Sequence, residues 1–176
     1  HPGGLRALMP DGSEIVLDSE IEIGDLIPLA NGHLAAVDIQ GKRIVELDAQ
    51  GCILATLVDS SSSIGLPERL VGDARGGIYF TAEAEESGEN AIFYLSPEGQ
   101  SFTMVEAGLP NRTSMALDAD GSTLFLSNPE DSHIWASAVL ADGSLADRHR
   151  FAELYLGNGR YGRPSEKTTG SQAEGI

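Results

Sequence analysis

Short apolar segments alternate with polar turns along most of the chain, and the turns recur at a nearly fixed interval. The clearest copy is Leu109 to Asn128, LPNRTSMALDADGSTLFLSN. It holds a Pro-led loop, an apolar strand through Met115, Ala116 and Leu117, the turn Asp118-Ala119-Asp120-Gly121, and a second strand through Leu124, Phe125 and Leu126. Strand, tight Gly turn and strand predict a hairpin. The same pattern stands upstream. After the acidic link Ser19 to Asp25, a unit over residues 26–59 places turns at Ala30-Asn31-Gly32 and Asp48-Ala49-Gln50-Gly51 between LIPL, HLAAVD, RIVELD and CILATLV. A second unit, 69–107, carries the turn Gly76-Gly77, an acidic loop from Glu83 to Asn90, and the turn Ser96-Pro97-Glu98-Gly99. A third covers 112–154, and residues 5–18 form half a unit around Pro10-Asp11-Gly12. Residues 155–176 are a polar, Gly-rich stretch expected to lead into a further unit.

The spacing of the turns decides the fold class. First-hairpin glycines fall at Gly32, Gly76 and Gly121, spaced 44 and 45 residues, and second-hairpin glycines at Gly51, Gly99 and Gly143, spaced 48 and 44. A repeat of about 40–50 residues with four strands per unit is the pattern of a β-propeller, whose sheets bury their faces against their neighbours. The competing reading is a β-sandwich of evenly spaced strands, but a sandwich has no reason to repeat its turns in register. The expectation is an all-β protein, a single propeller domain or segment over 1–176 with four-stranded antiparallel blades and almost no helix.

Charge narrows the partners. The 27 acidic residues outnumber the 11 basic ones for a net charge of −16, a field that repels phosphate backbones and anionic lipid. Nucleic acid and membrane surfaces are therefore not expected partners, whereas a cation or a neutral small molecule is. The single Cys52 has no partner for an internal disulfide, and no apolar run approaches the roughly 20 residues of a membrane helix. A soluble protein of the cytoplasm or periplasm fits. The chain opens on His1-Pro2-Gly3-Gly4 with neither Met nor a signal-peptide core, so a segment upstream is expected.

Four stretches carry a family resemblance: RLVGDARGGIYFT from Arg69, AIFYLSPEG from Ala91, the Leu109–Leu126 hairpin and VLADGSLADRHRF from Val139. Together, and in this order, they resemble the SMP-30/gluconolactonase/LRE-like family. The resemblance implies a segment of a six-bladed propeller, about three and a half blades of it. It implies metal-dependent hydrolysis of a sugar lactone or related ester, with a divalent cation on the propeller axis polarising the carbonyl and a carboxylate helping water attack. Oxygen ligands suit a hard ion, Ca²⁺ before Mg²⁺, Mn²⁺ or Zn²⁺.

The resemblance also implies a site. The family's first Glu ligand has no counterpart in this chain, and its Arg-x-Asn-Asp segment aligns with Leu66-Pro67-Glu68-Arg69, leaving Glu68 as a candidate for substrate and metal contact. Its Pro-Asn-Gly segment is similar to Pro110-Asn111-Arg112, which makes Asn111 a metal candidate. Counting back from the turn glycines pairs Glu68 with Thr113 instead: either a two-residue bulge keeps Asn111 at the axial position, or Thr113 takes that place as a substrate contact. An Asp-Gly-Met type motif resembles Glu174-Gly175-Ile176, which offers Glu174 as metal ligand and catalytic carboxylate.

Each candidate has a plainer reading: Glu68 as a solvated loop carboxylate, Asn111 as a turn former, Thr113 as a strand former and Glu174 as part of a polar tail. Asp118-Ala119-Asp120-Gly121 reads as a hairpin turn, since nothing like the rest of an EF-hand follows. His33, His133 and His149 lack zinc-ligand spacing, and Ser114 sits in no nucleophile elbow. Three functions follow: a lactonase-like metallohydrolase, a non-catalytic propeller that binds a ligand or protein at its mouth, or an inactive propeller fragment.

Overall fold

The computed structural model describes residues 5–8, 11–12, 14–17, 21–59, 64–97, 99 and 101–154, and every regular element among them is a strand. β1 (Leu5–Leu8) and β2 (Glu14–Leu17) form a two-stranded ladder. Three four-stranded antiparallel sheets follow, each running in chain order. The first holds β3 (Ile23–Pro28), β4 (Leu34–Asp38), β5 (Arg43–Leu47) and β6 (Ile53–Val58). The second holds β7 (Leu70–Gly72), β8 (Ile78–Ala84), β9 (Glu89–Leu95) and β10 (Phe102–Leu109). The third holds β11 (Ser114–Leu117), β12 (Thr123–Ser127), β13 (His133–Val139) and β14 (Leu145–Glu153). β7 lies beside both β3 and β11, so the first strand of each sheet is the innermost. Such a stack of radial four-stranded sheets is the β-propeller architecture expected from the turn spacing.

The repeated Asp-x-x-Gly turns owe their shape to the aspartate. Asp73 Oδ1 accepts the backbone N–H of Arg75 and of Gly77, both at 2.8 Å, and Asp48 Oδ1 accepts those of Gln50 and Cys52, both at 2.9 Å. A side chain that satisfies its own turn is the reason Asp recurs there. In the third sheet Asp118 is spent the same way, on Thr123 N–H and the Ser122 hydroxyl, which makes the Asp118–Gly121 stretch a hairpin turn. The acidic loop is shorter than the side-chain pattern suggests. Glu83 pairs with Asn90 and Ala84 with Glu89, because a ladder needs backbone partners and not apolar side chains.

Alternation along each strand sends successive side chains to opposite neighbours. In β8, Ile78, Phe80 and Ala82 face the first sheet, where they join Ala35, Val37, Ile44 and Val58. Phe80, Phe93 and Phe102 fill that layer, with Phe80 stacked on Phe93 at 5.3 Å and Phe102 edge-on to both. Tyr79, Ile92 and Tyr94 face the third sheet and pack on Leu124 and Leu126.

A polar latch closes this second interface. The Tyr79 hydroxyl donates to Gly143 O at 2.8 Å, and burial pushes its pKa up to about 12, so it stays a donor. Arg75 crosses to the same turn and donates to Ala141 O at 2.5 Å. Tyr94 donates to Asp73 Oδ2 at 2.8 Å. Burial alone would raise the Asp73 carboxyl, but the hydrogen bonds from Tyr94, from the Gly77 and Arg75 amides and from the Arg75 guanidinium hold it below the ordinary aspartate range. The Tyr94 ring lies against Gly143, whose φ is 84°, and a Cβ there would overlap the ring.

Gly121 shares the positive φ, at 74°, but faces open space. Gly121→Ala is expected to lose about 1–2 kcal/mol for the left-handed backbone alone. Gly143→Ala loses that and roughly 1–3 kcal/mol more from overpacking against Tyr94. Urea unfolding of the two variants reads the difference directly, and equal losses would show that the ring contact contributes nothing.

Candidate functional site

The connections between sheets and the β8–β9 and β12–β13 loops share one end of the stack, and the Asp-x-x-Gly turns share the other. Glu68, Asn111 and Thr113 belong to the first end. Turn hydrogen bonds align the sheets independently of residue type: Asp73 N–H donates to Gly77 O at 2.8 Å, and Asp118 N–H donates to Thr123 O at 3.1 Å. Counting back along β7 and β11 from these two residues puts Glu68 and Thr113 at one equivalent position. Asn111 lies two residues earlier, inside a turn over Pro110–Thr113 in which Arg112 adopts a φ of 62°.

Glu68 is exposed; its N–H donates to Thr81 O at 2.8 Å, and its carboxylate accepts no hydrogen bond among the described residues. Thr113 is 6% exposed and spends its hydroxyl on Pro110 O at 2.7 Å, which closes the turn. Asn111 is exposed at the tip and is held from two sides. Asn90 Nδ2, at the start of β9, donates to Asn111 Oδ1 at 2.5 Å, and Asn128 Nδ2, just past β12, donates to Asn111 O at 2.5 Å. Asn128 is in turn fixed by Glu130 N–H, which donates to its Oδ1 at 2.7 Å. Asn111 and Thr113 thus share one turn, and Glu68 enters the neighbouring inner strand. Glu174 lies outside the described residues.

Beneath the turn is a void of about 20 Å³ walled by Leu109, Thr113, Asn128, Asp131, Trp135 and Arg148. Its polar wall is a chain of contacts. Asp131 Oδ2 accepts the Trp135 indole N–H at 2.7 Å, while Oδ1 accepts His133 N–H at 3.0 Å and His133 Nδ1 at 2.8 Å. Facing a carboxylate, Nδ1 is the donor. The Arg148 guanidinium lies 4.8 Å from the Trp135 ring centre and pairs with Glu106 of β10, tying the second sheet to the third. Asn90 and Asn128 carry no sequence signal of their own, because each reaches the turn from another strand and not along the chain.

The donors at this end are oxygens, the type that hard cations take. Among the described residues the Glu68 carboxylate accepts no hydrogen bond, and the Asn111 carbonyl keeps a lone pair beside the one Asn90 uses. Among the described residues no three His, Cys, Asp or Glu side chains stand together to hold an ion. At the opposite end a cleft of about 210 Å³ is lined by Asp73, Arg75, Asp120 and Leu140, but there Asp73 and Arg75 already satisfy each other. No helix of the described residues is long and apolar enough to cross a membrane.

The fold and this mouth define a β-propeller with a polar turn set over its inner strands. Within that class the chain is gluconolactonase-like in both sequence and fold. No family model matches it. It is 25% identical over 152 residues to a gluconolactonase of Zymomonas mobilis, a match that covers 76% of this chain and 42% of that protein. It superposes on the gluconolactonase of Xanthomonas campestris with a TM-score of 0.66 and 25% identity, covering 85% of this chain and 55% of that one. The fold is shared with a calcium-binding protein, regucalcin, of Agrobacterium tumefaciens, with a TM-score of 0.66 and 12% identity over 88% of this chain and 54% of that one. The chain therefore spans about half the length of the proteins it matches.

The Asp131 cluster predicts an acid response. The Trp135 N–H, and after it the His133 donors, hold the Asp131 carboxyl below the ordinary aspartate range against the opposing effect of burial. A depressed carboxyl pKa contributes stability in full above the unfolded value, about 4, and loses it as pH falls through the folded value. Trp135 is the one tryptophan of the chain, so its fluorescence reports this transition. The emission should change below about pH 4 in the parent and stay flat there in Asp131→Asn; an unchanged acid limb in the variant would break the link.

Proposed function

We propose that the chain is part of a lactonase-like hydrolase acting on a sugar lactone or related ester with the help of a divalent cation, Ca²⁺ first. The observation that carries this reading is the clamped, exposed Asn111 turn at the same end of the stack as Glu68, whose carboxylate accepts no hydrogen bond among the described residues, in a chain 25% identical to gluconolactonases. Glu68 and Asn111 are the oxygen donors for the ion, with Glu174 as a further carboxylate. When bound, a divalent cation supplies Lewis-acid polarisation of the lactone carbonyl.

The remaining steps belong to side chains. Glu174 takes the proton from the attacking water, whose oxygen bonds to the carbonyl carbon. The ring C–O bond breaks, and its oxygen leaves with that proton. Glu68 and the turn closed by Thr113 hold the substrate, so that water and carbonyl meet in one orientation. The product is a hydroxy acid that ionises and releases a proton.

A second reading has its own observation. Leu66-Pro67-Glu68-Arg69 stands where the family resemblance expects Arg-x-Asn-Asp, which favours a propeller module that binds a ligand at the same mouth without turning it over.

Proton release from aldonolactones separates the two. The parent should hydrolyse them, and Glu68→Ala/Asn111→Ala should fall by more than about 100-fold, beyond the 10–100-fold that the outer partners of a ligand carry. Calorimetry with Ca²⁺, Mn²⁺ and Zn²⁺ should show heat in the parent that the double variant lacks. Lactone binding without proton release would select the second reading, and unchanged rates in the double variant would remove both residues from the mechanism.

A further inference from the structure

The structure assigns Asn90 a role in the site: it is the positioning residue that sets the direction of the Asn111 carboxamide. The inference rests on the reading of Asn111 as an ion-contacting residue and goes beyond it to a residue on another element. Asn90 lies at the head of β9, where it pairs with Glu83 of β8 and Leu109 of β10. Backbone on both flanks therefore fixes its Cα, while Asn111 is at the tip of a turn with solvent around it. The 2.5 Å hydrogen bond from Asn90 Nδ2 to Asn111 Oδ1 ties the exposed amide to the strand ladder.

The consequence is directional. A free asparagine at a turn tip rotates about its terminal torsion and offers nitrogen as readily as oxygen. With one lone pair of Oδ1 on Asn90, the oxygen is held toward the head of β9 and its second lone pair has a fixed line of approach. Asn128 completes the arrangement by holding Asn111 O, so backbone and side chain of one residue are fixed by two different strands' ends. A cation that requires an oxygen in a set place is served by such an arrangement, since outer partners of a ligand commonly carry 10–100-fold of metal affinity.

Three variants of the full chain test this: Asn90→Leu, which keeps the bulk and deletes the donor, Asn90→Ala and Asn111→Ala. Titration with Mn²⁺ and Ca²⁺ by calorimetry should show affinity about 10–100-fold lower in both Asn90 variants, and no binding in Asn111→Ala. The Asn111 side-chain amide signal in an NMR spectrum should shift in Asn90→Leu with no ion present, while the melting temperature stays near that of the parent. Ion affinity unchanged in Asn90→Leu, with binding lost in Asn111→Ala, overturns the positioning role and leaves the site standing. An unmoved Asn111 amide signal overturns it as well. Ion binding undisturbed by Asn111→Ala brings down the site itself, and the positioning role with it.

Discussion

Burial of one sheet face against the next is the constraint on which the rest depends. No single four-stranded sheet of this chain covers its own apolar side chains. Tyr79 is fully buried because the third sheet lies on it, and Phe80 is fully buried because the first does. The hydroxyls and guanidinium at the rim of the second interface add direction to a contact that apolar burial alone would leave free to slide. Everything at the mouth inherits its position from these two layers. The Pro110–Thr113 turn stays over Trp135 only while the second and third sheets keep their distance, and the Arg148–Glu106 pair spans the same gap.

The scaffold was legible in the sequence because it is written in local chemistry. Asp73 and Asp118 close turns with atoms a few residues away, so the spacing of Gly32, Gly76 and Gly121 survives as a visible period. The family resemblance, carried by the same turns, is upheld by the gluconolactonase matches. The site was legible only in part. Asn111 and Thr113 stood out, and strand pairing explains their two-residue offset: a left-handed Arg112 turns the chain before it enters β11. What holds them did not stand out. Asn90 and Asn128 reach the turn from 21 and 17 residues away, and an isolated asparagine in a polar loop carries no period. His133 lacks zinc-ligand spacing in the sequence, and in the structure it donates to Asp131.

Function follows from how tightly the mouth is organised and from what it leaves free. Thr113, Asn128 and Asp131 are consumed by their neighbours, whereas Asn111 is exposed and the Glu68 carboxylate accepts no hydrogen bond among the described residues. A scaffold that saturates its supporting polar groups and leaves a few oxygens outward is arranged to bind with little reorganisation, whichever chemistry follows. The net charge of −16 favours cations over anions around the chain as a whole.

Pairing of Ile27 with Ala35, Val71 with Tyr79 and Ala116 with Phe125 puts Ala35, Tyr79 and Phe125 at one position in three successive sheets. They differ greatly in volume, and their neighbours differ to match. The small Ala35 meets a layer of phenylalanines, and Tyr79 shares its layer with Tyr94, whose ring rests on Gly143. The repeat is therefore uniform in its backbone and individual in its surfaces. The faces are therefore not interchangeable: with the first and second sheets exchanged, Tyr79 and Tyr94 would meet Ala36, Val45 and Leu47, and Gly143 would face Ala35 with no ring to fill the space beside it.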